Sequence, residues 1–276
     1  MLFGQILDDI RKNAPLVHNI TNYVTVNDCA NILLACGASP IMADDMGEAE
    51  EITSICGALN INIGTLNQNT IPAMFAAGKR ANALGHPVVL DPVGAGASEL
   101  RTDTARRLVK EIDLAVIRGN ISEMKALAAG GGNTKGVDAD VMDAVSEDSL
   151  ESAIRFVMAY AAKRNAVVAV TGAIDIVADD STAYVIRNGH PDMSRITGTG
   201  CMLTCLIAAS VAACPQDRVR AAAAAVCMMG IAGELAHERL SPLDGNASYR
   251  NYIIDAIYRM DGARLDSGAK AEKVVF

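Results

Sequence analysis

Tryptophan is absent from this chain of 276 residues, and aromatic residues make up only 4% of it. Hydrophobic residues nevertheless reach 51%, so small aliphatic side chains must fill the core. Such side chains allow helices to pack closely on one another and on a sheet. Because α/β folds of this length often form one unit, we expect a single domain over residues 1–276.

An excess of positive charge is also missing, since the formal net charge is -8 at pH 7. A nucleic-acid partner requires a cationic surface, so this composition argues against one. A small anionic ligand is compatible with the charge, because backbone amides and a metal ion can hold phosphate locally.

Long apolar runs are lacking as well. The longest covers residues 201–214, which is 14 residues, whereas a membrane span needs about 20. The first residues, 1–4, lead directly into charged residues, which is typical of an amphipathic helix and not of a signal peptide. We therefore expect a soluble protein without a membrane partner.

Paired cysteine motifs are absent. The seven cysteines include no CxxC pair, and Cys201 and Cys205 have no nearby histidine pair that would complete a zinc site. Their number is odd and they are scattered through apolar segments. We interpret them as reduced thiols of a cytoplasmic protein.

What the sequence does contain is an alternation of strand-length apolar runs with helical patterns. This order predicts a parallel sheet with helices on both faces. The predicted strands are Leu16–Asn19, Ser39–Ala43, Ala58–Ile63, Pro87–Asp91, Ala115–Arg118 and Ala166–Thr171. The predicted helices between them are Val24–Ala35, Gly47–Cys56, Gln68–Leu84, Ser98–Lys110, Ser122–Ala129 and Ser149–Lys163.

The alternation stops after Thr171. Two short runs, Ile174–Ala178 and Ala183–Arg187, predict a hairpin at the sheet edge. Only helices are expected beyond it, at Thr199–Ala213, Gln216–Arg239 and Ala247–Met260. The glycine-rich stretch 130–136 is interpreted as a mobile surface loop.

Polar residues and glycines follow six of the predicted strands. In open α/β sheets, ligands bind beyond the carboxyl ends of the strands. Turn chemistry alone does not require so many functional groups at these ends, so the pattern favours an enzyme over a scaffold.

The strongest local motif is the turn 196–201, Ile-Thr-Gly-Thr-Gly-Cys, which precedes a helix of small residues. Its glycines allow backbone N–H groups to face one point, and the start of the helix adds positive potential for an anion. A plain glycine turn before a core helix explains the same string. No GxxxxGK[ST] motif is present, so a P-loop is excluded.

Two acidic residues follow other predicted strands. Glu123 lies three residues after Asn120, which suits either a helix cap or a Mg²⁺ site, with Arg118 beside the phosphates. Asp91 enters a Pro/Gly turn and is either an Asx-turn residue or a second acidic group for Mg²⁺.

Together these features resemble the ribokinase-like superfamily, with its strand-end Asp, NxxE string and GTGx turn before a late helix. The particular strings are more similar to hydroxyethylthiazole kinases, enzymes of thiamine salvage, and they span residues 15 to 205 in the family's order. The matching strings are Pro15–Asn22, Gly37–Met42, Asn62–Leu66, Leu90–Gly94, Ile117–Glu123, Val170–Gly172 and Thr197–Cys201.

The resemblance implies a three-layer α/β/α fold with a mostly parallel central sheet and an antiparallel edge. It implies ATP- and Mg²⁺-dependent phosphorylation of 4-methyl-5-(2-hydroxyethyl)thiazole on its primary hydroxyl, which gives the thiazole phosphate used for thiamine phosphate synthesis. It also implies a homotrimer whose thiazole pocket lies between subunits.

The resemblance assigns roles residue by residue. ATP would contact Arg118, Thr171 and Gly200, and Mg²⁺ would be organised by Asp91 and Glu123. The thiazole would contact Met42 and Gly198, with Asn22, Gly64 and Thr65 as neighbours. Gly198, Gly200 and the Cys201 N–H would form an anion hole.

Cys201 takes the position where most of the superfamily has an aspartate base. A free thiol titrates near 8.5, and we expect the helix N-terminus to lower the pKa of this one. Because phosphoryl transfer depends mainly on positioning and charge neutralisation, Cys201 either accepts the hydroxyl proton or only orients the hydroxyl.

Three alternatives are weighed against this interpretation. A cysteine-nucleophile hydrolase or transferase would need a histidine beside Cys201, and the sequence places none there. An ATP-responsive binding or regulatory protein on the same fold would not need Asp91, Glu123 and the glycine turn together. A related pyrimidine, sugar or vitamin kinase is disfavoured by the strings at Asn22 and Met42. His190 and His237 are expected on the surface.

Overall fold

The computed structural model describes residues 2–129 and 145–275. The strands in these ranges are β1 (Leu16–Ile20), β2 (Ser39–Met42), β3 (Ala58–Asn62), β4 (Val88–Asp91), β5 (Val116–Gly119), β6 (Val167–Val170), β7 (Asp175–Ala178), β8 (Thr182–Ile186) and β9 (Ala271–Val275). The α-helices are α1 (Gly4–Asn13), α2 (Val26–Cys36), α3 (Ala49–Ile55), α4 (Thr70–Leu84), α5 (Glu99–Glu111), α6 (Ile121–Ala128), α7 (Leu150–Arg164), α8 (Thr199–Ala213), α9 (Arg218–Glu238), α10 (Asn246–Arg259) and α11 (Gly262–Gly268).

The strands form one sheet in the order β2-β1-β3-β4-β5-β6-β7-β8-β9. Pairing is parallel from β2 through β6 and antiparallel from β6 through β9. The predicted α/β class, with a mostly parallel sheet and an antiparallel side, is confirmed. The predicted strands are observed within a residue or two of their expected bounds, and the expected amphipathic N-terminal helix is α1.

Helices cover both faces of the sheet, because successive side chains of a strand point to opposite faces. In β6, Val167 and Ala169 join one core, whereas Val168 and Val170 join the other. The first core contains α1, α2, α8, α9, α10 and α11, and the second contains α3 to α7. Three layers follow from this alternation, as expected.

The prediction that only helices follow the hairpin was wrong. Strand β9 pairs antiparallel with β8 from Ala271 to Val275, so β9 and not the hairpin forms this edge of the sheet. Its sequence, Ala-Glu-Lys-Val-Val, is short and charged, as is common for edge strands that must resist pairing with other chains. Such a strand lacks the apolar alternation by which strands are recognised.

Helix α9 also differs from expectation. It is long and apolar enough to cross a membrane, whereas the sequence analysis considered only the shorter stretch 201–214. Of its apolar window, 83% is buried inside the molecule. This is the burial of a core helix, and its small alanine side chains pack against α8 and α10. The glycine-rich stretch 130–136 lies outside the described residues.

Candidate active site

The candidate site lies where the carboxyl ends of the parallel strands meet the start of α8. Parallel pairing brings these strand ends to one edge, so residues distant in sequence become neighbours. The structure brings together most of the predicted site residues here, around Asp91 at the end of β4.

Asp91 is the centre of this cluster and is fully buried. Its Oδ2 accepts hydrogen bonds from Asn62 Nδ2 at 2.8 Å and from Thr204 Oγ1 at 2.9 Å. Arg118 Nη1 lies 3.6 Å from the same oxygen. Side chains from three neighbouring elements, β3, β5 and α8, thus contact this one carboxylate oxygen.

The other carboxylate oxygen, Asp91 Oδ1, is buried and has no hydrogen-bond partner among the described residues. Burial raises the pKa of Asp91 to about 6, the charge of Arg118 opposes that rise, and the charge of Glu123 adds to it. A buried acceptor without a partner is costly, so an unpaired carboxylate oxygen is a feature expected of a cation site.

Arg118 links Asp91 to the next strand. Its Nη2 donates to Thr171 Oγ1 at 2.5 Å, just beyond the end of β6. The guanidinium lies against Gly200, where a Cβ atom would collide with it. Glycine at position 200 therefore lets Arg118 reach the backbone of the turn, and the predicted ATP residues Arg118, Thr171 and Gly200 lie together.

The turn before α8 has the backbone expected of an anion site. Gly198 has φ +93, a left-handed conformation that favours glycine. It is the N-cap of α8, and no side chain caps that helix start. The N–H groups at the start of α8 are therefore available to a phosphate, which a helix N-terminus attracts.

Cys201 is half-buried and lies in the first turn of α8. Its Sγ accepts hydrogen bonds from Asn22 Nδ2 at 3.2 Å and from Asn62 Nδ2 at 3.3 Å. Burial, followed by the charge of Asp91, raises the pKa of the Cys201 thiol. The expectation that the helix start lowers this pKa was wrong, because desolvation and a nearby carboxylate outweigh the helix.

Glu123 serves as a helix cap in the structure. Its Oε2 accepts from Asn120 N and the Asn120 side chain accepts from Glu123 N, which is a complete capping box. Its Oε1 accepts from Gly94 N at 2.8 Å, so the turn after β4 is held against α6. Each carboxylate oxygen retains a further lone pair, so the cap does not exclude a second role.

The predicted thiazole residues are only partly brought together. Asn22 donates to Asn62 Oδ1, which also accepts from Gly64 N at 2.9 Å. Thr65 Oγ1 accepts from Tyr23 N at 3.2 Å. Met42 lies at the end of the outer strand β2, in register with Asn19 of β1 and packed against the core.

Two residues of this cluster were missed from the sequence. Asn62 bridges Asp91 and Cys201, and Thr204 donates to Asp91. Thr204 lies one helical turn beyond Cys201, which is a spacing that places both on one helix face. Asn62 had a weaker signal, because only the register of β3 with β4 places it beside Asp91.

A cavity of about 720 Å³ opens beside this cluster. Arg118, Thr171 and Gly200 line one end of it, and apolar side chains such as Leu203 and Met229 line another part. A polyanion at one end and an apolar ring at the other fit such a cavity, which is the usual division of a ligand site.

A histidine beside Cys201, as the hydrolase alternative requires, is not observed. All four histidines lie in the described ranges, and none is hydrogen-bonded to the thiol. The His18 ring lies 2.9 Å from Thr53 Oγ1 and 2.7 Å from the Ala43 carbonyl oxygen. The structure therefore disfavours nucleophilic catalysis of the Cys–His kind.

Comparison with known sequences gives one family. The hydroxyethylthiazole kinase family matches residues 7–262 of the chain. A hydroxyethylthiazole kinase of Clostridium acetobutylicum is 63% identical over 266 residues, covering 96% of this chain and 97% of that protein.

Comparison with solved structures agrees. The structure of a hydroxyethylthiazole kinase from Pyrococcus horikoshii OT3 matches with a TM-score of 0.87 and 37% identity, covering 99% of this chain and 98% of the other. The pyridoxal kinase of Staphylococcus aureus, in complex with AMP-PCP and pyridoxal, matches with a TM-score of 0.61 and 14% identity, covering 95% and 98%. The latter likeness shows the ribokinase-like fold alone.

Proposed function

The chain belongs to the hydroxyethylthiazole kinase family, and we propose that the cluster around Asp91 and Cys201 carries its reaction. As a kinase of this family, it transfers the γ-phosphate of ATP to the hydroxyl of hydroxyethylthiazole. We propose that the product supplies the thiazole phosphate for thiamine phosphate synthesis.

The observation that carries this proposal is the convergence of three groups on one point. Cys201 lies at the start of an uncapped helix, Arg118 packs against Gly200, and Asp91 holds Arg118 in place. Backbone N–H groups and a guanidinium beside one another stabilise the charge of a transferring phosphoryl group.

Mg²⁺ is proposed to bind beside Asp91 and Glu123. The residues fit this ion, because Asp91 Oδ1 is unpaired and both carboxylates are hard oxygen donors of the kind that Mg²⁺ prefers. When bound, the ion would neutralise charge on the ATP phosphates. Arg118 would share that task from the other side of Asp91.

Cys201 is proposed to orient the substrate hydroxyl more than to deprotonate it. Two amide groups, of Asn22 and Asn62, donate to its sulfur and fix its position. Because burial and Asp91 raise the pKa of the thiol, little thiolate is present at neutral pH to accept a proton. A loose phosphoryl transition state needs a well-placed hydroxyl more than a strong base.

ATP is proposed to occupy the 720 Å³ cavity, with its phosphates at Arg118, Thr171 and Gly200. The thiazole is proposed to lie on the opposite side of the Cys201 turn, against Asn22, Gly64 and Thr65. Met42 and Gly198 would complete that side.

We propose a homotrimer in which a neighbouring subunit closes the thiazole pocket, which the exposed apolar side chains of Tyr23 and Val24 support.

Strands from residue 16 to residue 275 form one sheet, which supports our proposal of a single domain over residues 1–276. All seven cysteines are free, which supports a reducing, cytoplasmic location.

A coupled assay of ADP release tests the function. ADP should appear only when both Mg²⁺ and a hydroxyl substrate are present, and hydroxyethylthiazole should give the highest kcat/KM in a panel with pyridoxal, hydroxymethylpyrimidine and ribose. A higher kcat/KM for another member of the panel would refute the thiazole assignment. ADP release independent of any hydroxyl substrate would refute transfer to an alcohol.

A further inference from the structure

A second group of metal-ligating side chains lies away from Asp91. His190 and Asp192 belong to the 3₁₀ segment around Pro191–Arg195, and His237 lies in the last turn of α9. One ligand atom from each of the three residues lies within 4.8 Å of the others. The sequence did not indicate this group, because the two histidines are distant in the chain. Both were expected only to lie on the surface.

The two oxygens of the Asp192 carboxylate have different neighbours. Its Oδ1 lies 3.2 Å from Arg195 Nη1, at the surface. Its Oδ2 lies 3.1 Å from His237 Nδ1 and 3.6 Å from His190 Nδ1. One carboxylate oxygen and two imidazole nitrogens therefore face one another.

The two imidazole rings are stacked, with centroids 3.5 Å apart and an interplanar angle of 18°. His190 Nδ1 accepts a hydrogen bond from Asp192 N at 3.2 Å, so a metal ion bound at this nitrogen would replace that contact. His237 Nδ1 is buried and makes no hydrogen bond of acceptable geometry. This nitrogen therefore lies 3.1 Å from Asp192 Oδ2 without being hydrogen-bonded to it.

We propose that His190, Asp192 and His237 bind a divalent transition-metal ion such as Zn²⁺, Co²⁺ or Ni²⁺. Two imidazoles and one carboxylate suit these ions, whereas Mg²⁺ prefers an all-oxygen set. Three protein ligands leave an open position for water. The site is distinct from the proposed Mg²⁺ position at Asp91 and Glu123, and it does not depend on the proposed function.

Binding requires a movement that the structure permits. A metal ion lies in the plane of each imidazole that binds it, so one of the stacked rings must turn. The side chains of His190 and His237 are 32% and 40% exposed, so solvent and not only protein borders each ring. His190 also lines the 720 Å³ cavity, so a bound ion would lie beside the proposed nucleotide site.

Co²⁺ alone is a suitable probe, because its visible absorption separates imidazole–carboxylate sites from thiolate sites. The full chain, without an affinity tag and freed of metal, would be titrated in excess Mg²⁺, which occupies the oxygen sites. We expect one Co²⁺ per chain, with no thiolate charge-transfer band. His237→Gln and Asp192→Asn should each lower the Co²⁺ affinity by at least about tenfold, since loss of outer-shell partners alone typically costs about 10- to 100-fold.

His86→Gln is the matched control. His86 also has a buried Nδ1 without a partner, but it belongs to no such group of ligands among the described residues. Its substitution should leave the Co²⁺ affinity unchanged. The proposal is overturned by no binding in the parent protein, by unchanged affinity in His237→Gln and Asp192→Asn, by an equal loss in His86→Gln, or by a thiolate band.

Discussion

The two halves of the proposed active site differ in how completely this chain builds them. The phosphate half, as proposed above, comprises Asp91, Arg118, Thr171, Gly200 and Cys201. Its polar groups are joined through Asn62 and Thr204, and Asp91 is fully buried. The proposed thiazole half comprises Asn22, Met42, Gly64, Thr65 and Gly198.

The surroundings of the thiazole half are much more open. Tyr23 is 77% exposed and Val24 is 56% exposed, directly after Asn22 in the chain. Met46, just beyond β2, is 51% exposed. Apolar side chains so close to a site are covered most simply by a ligand or another subunit. Groups that stabilise a transferring phosphoryl group act best when they are already held in place, as the phosphate half is here.

The largest effect is expected at the junction of the two halves. Cys201→Ala should lower kcat about 100-fold, the loss typical of a misplaced reacting group, because the hydroxyl loses the side chain that orients it. The apparent affinity for ATP should change little, and Cys201→Asp should retain turnover. Steady-state kinetics measures both.

Cys227→Ala is the matched control, since that thiol is buried in α9. It should cost stability and leave kcat near the parent value. A Cys201→Ala enzyme with full turnover would reduce Cys201 to a packing residue and leave the two halves without a shared catalytic group.

Acid should disable the phosphate half selectively. The pKa of Asp91 is raised to about 6, so Asp91 gains a proton as the pH falls through about 6 and loses its attraction for Arg118 and Mg²⁺. We expect kcat/KM for ATP to fall about tenfold for each pH unit below that value. A pH profile at saturating thiazole measures this.

Asp175 provides the control for that profile. Burial raises its pKa to about 7, and it lines the same cavity. In Asp175→Asn the acid limb near pH 6 should persist, because Asp91 is unchanged. If the fall in kcat/KM near pH 6 disappeared in this variant, the titrating group would be Asp175. A parent enzyme with constant kcat/KM down to pH 5 would rule out both Asp91 and Asp175 as that group.

Glu123→Gln should raise the Mg²⁺ concentration for half-maximal activity about tenfold, equivalent to about 1.4 kcal/mol. Glutamine can still complete a capping box, although it retains only one acceptor oxygen where Glu123 uses two. The change therefore removes the charge and preserves most of the cap. A Mg²⁺ titration measures the shift.

Asn120→Ala is the opposite change, since it removes the cap and keeps the carboxylate. It should lower the thermal unfolding temperature and leave the Mg²⁺ requirement nearly unchanged. If the two variants behaved alike in the Mg²⁺ titration, Glu123 would be a capping residue only.

The smallest effect is expected in the thiazole half. Dilution of a cyclic trimer should weaken thiazole binding by a few-fold before ATP binding changes, because only the thiazole would touch two subunits. Light scattering coupled to size exclusion, with KM measured over the same concentrations, tests this. A fully active monomer of 28.9 kDa would refute both the trimer and the shared pocket.

That the residues of the proposed phosphate half would lie together was largely predictable, because its signals are local. A strand-end Asp, an NxxE string and a glycine turn each act through residues within a few positions in the chain, by capping a helix or by presenting backbone N–H groups. The contacts of Asn62 and Thr204 with Asp91 were not predictable in the same way. They depend on the pairing of β3 with β4 and on the position of α8 over the sheet.

Local sequence patterns also failed to predict the effects of burial. The helix start at Cys201 predicted a lowered pKa, and the packed structure raises it. Edge strand β9 escaped detection because it is short and charged, and the pairing of His190 with His237 joins residues from separate elements.

The sequence by itself determined the alternation of strands and helices, the glycine turn before α8 and the kinase family. These follow from periodicity and from backbone preferences that act within a few residues. Only the tertiary structure decided the register of the strands, the desolvation of Asp91 and Cys201, and the meeting of His190, Asp192 and His237. Those depend on which distant groups share a place from which water is excluded.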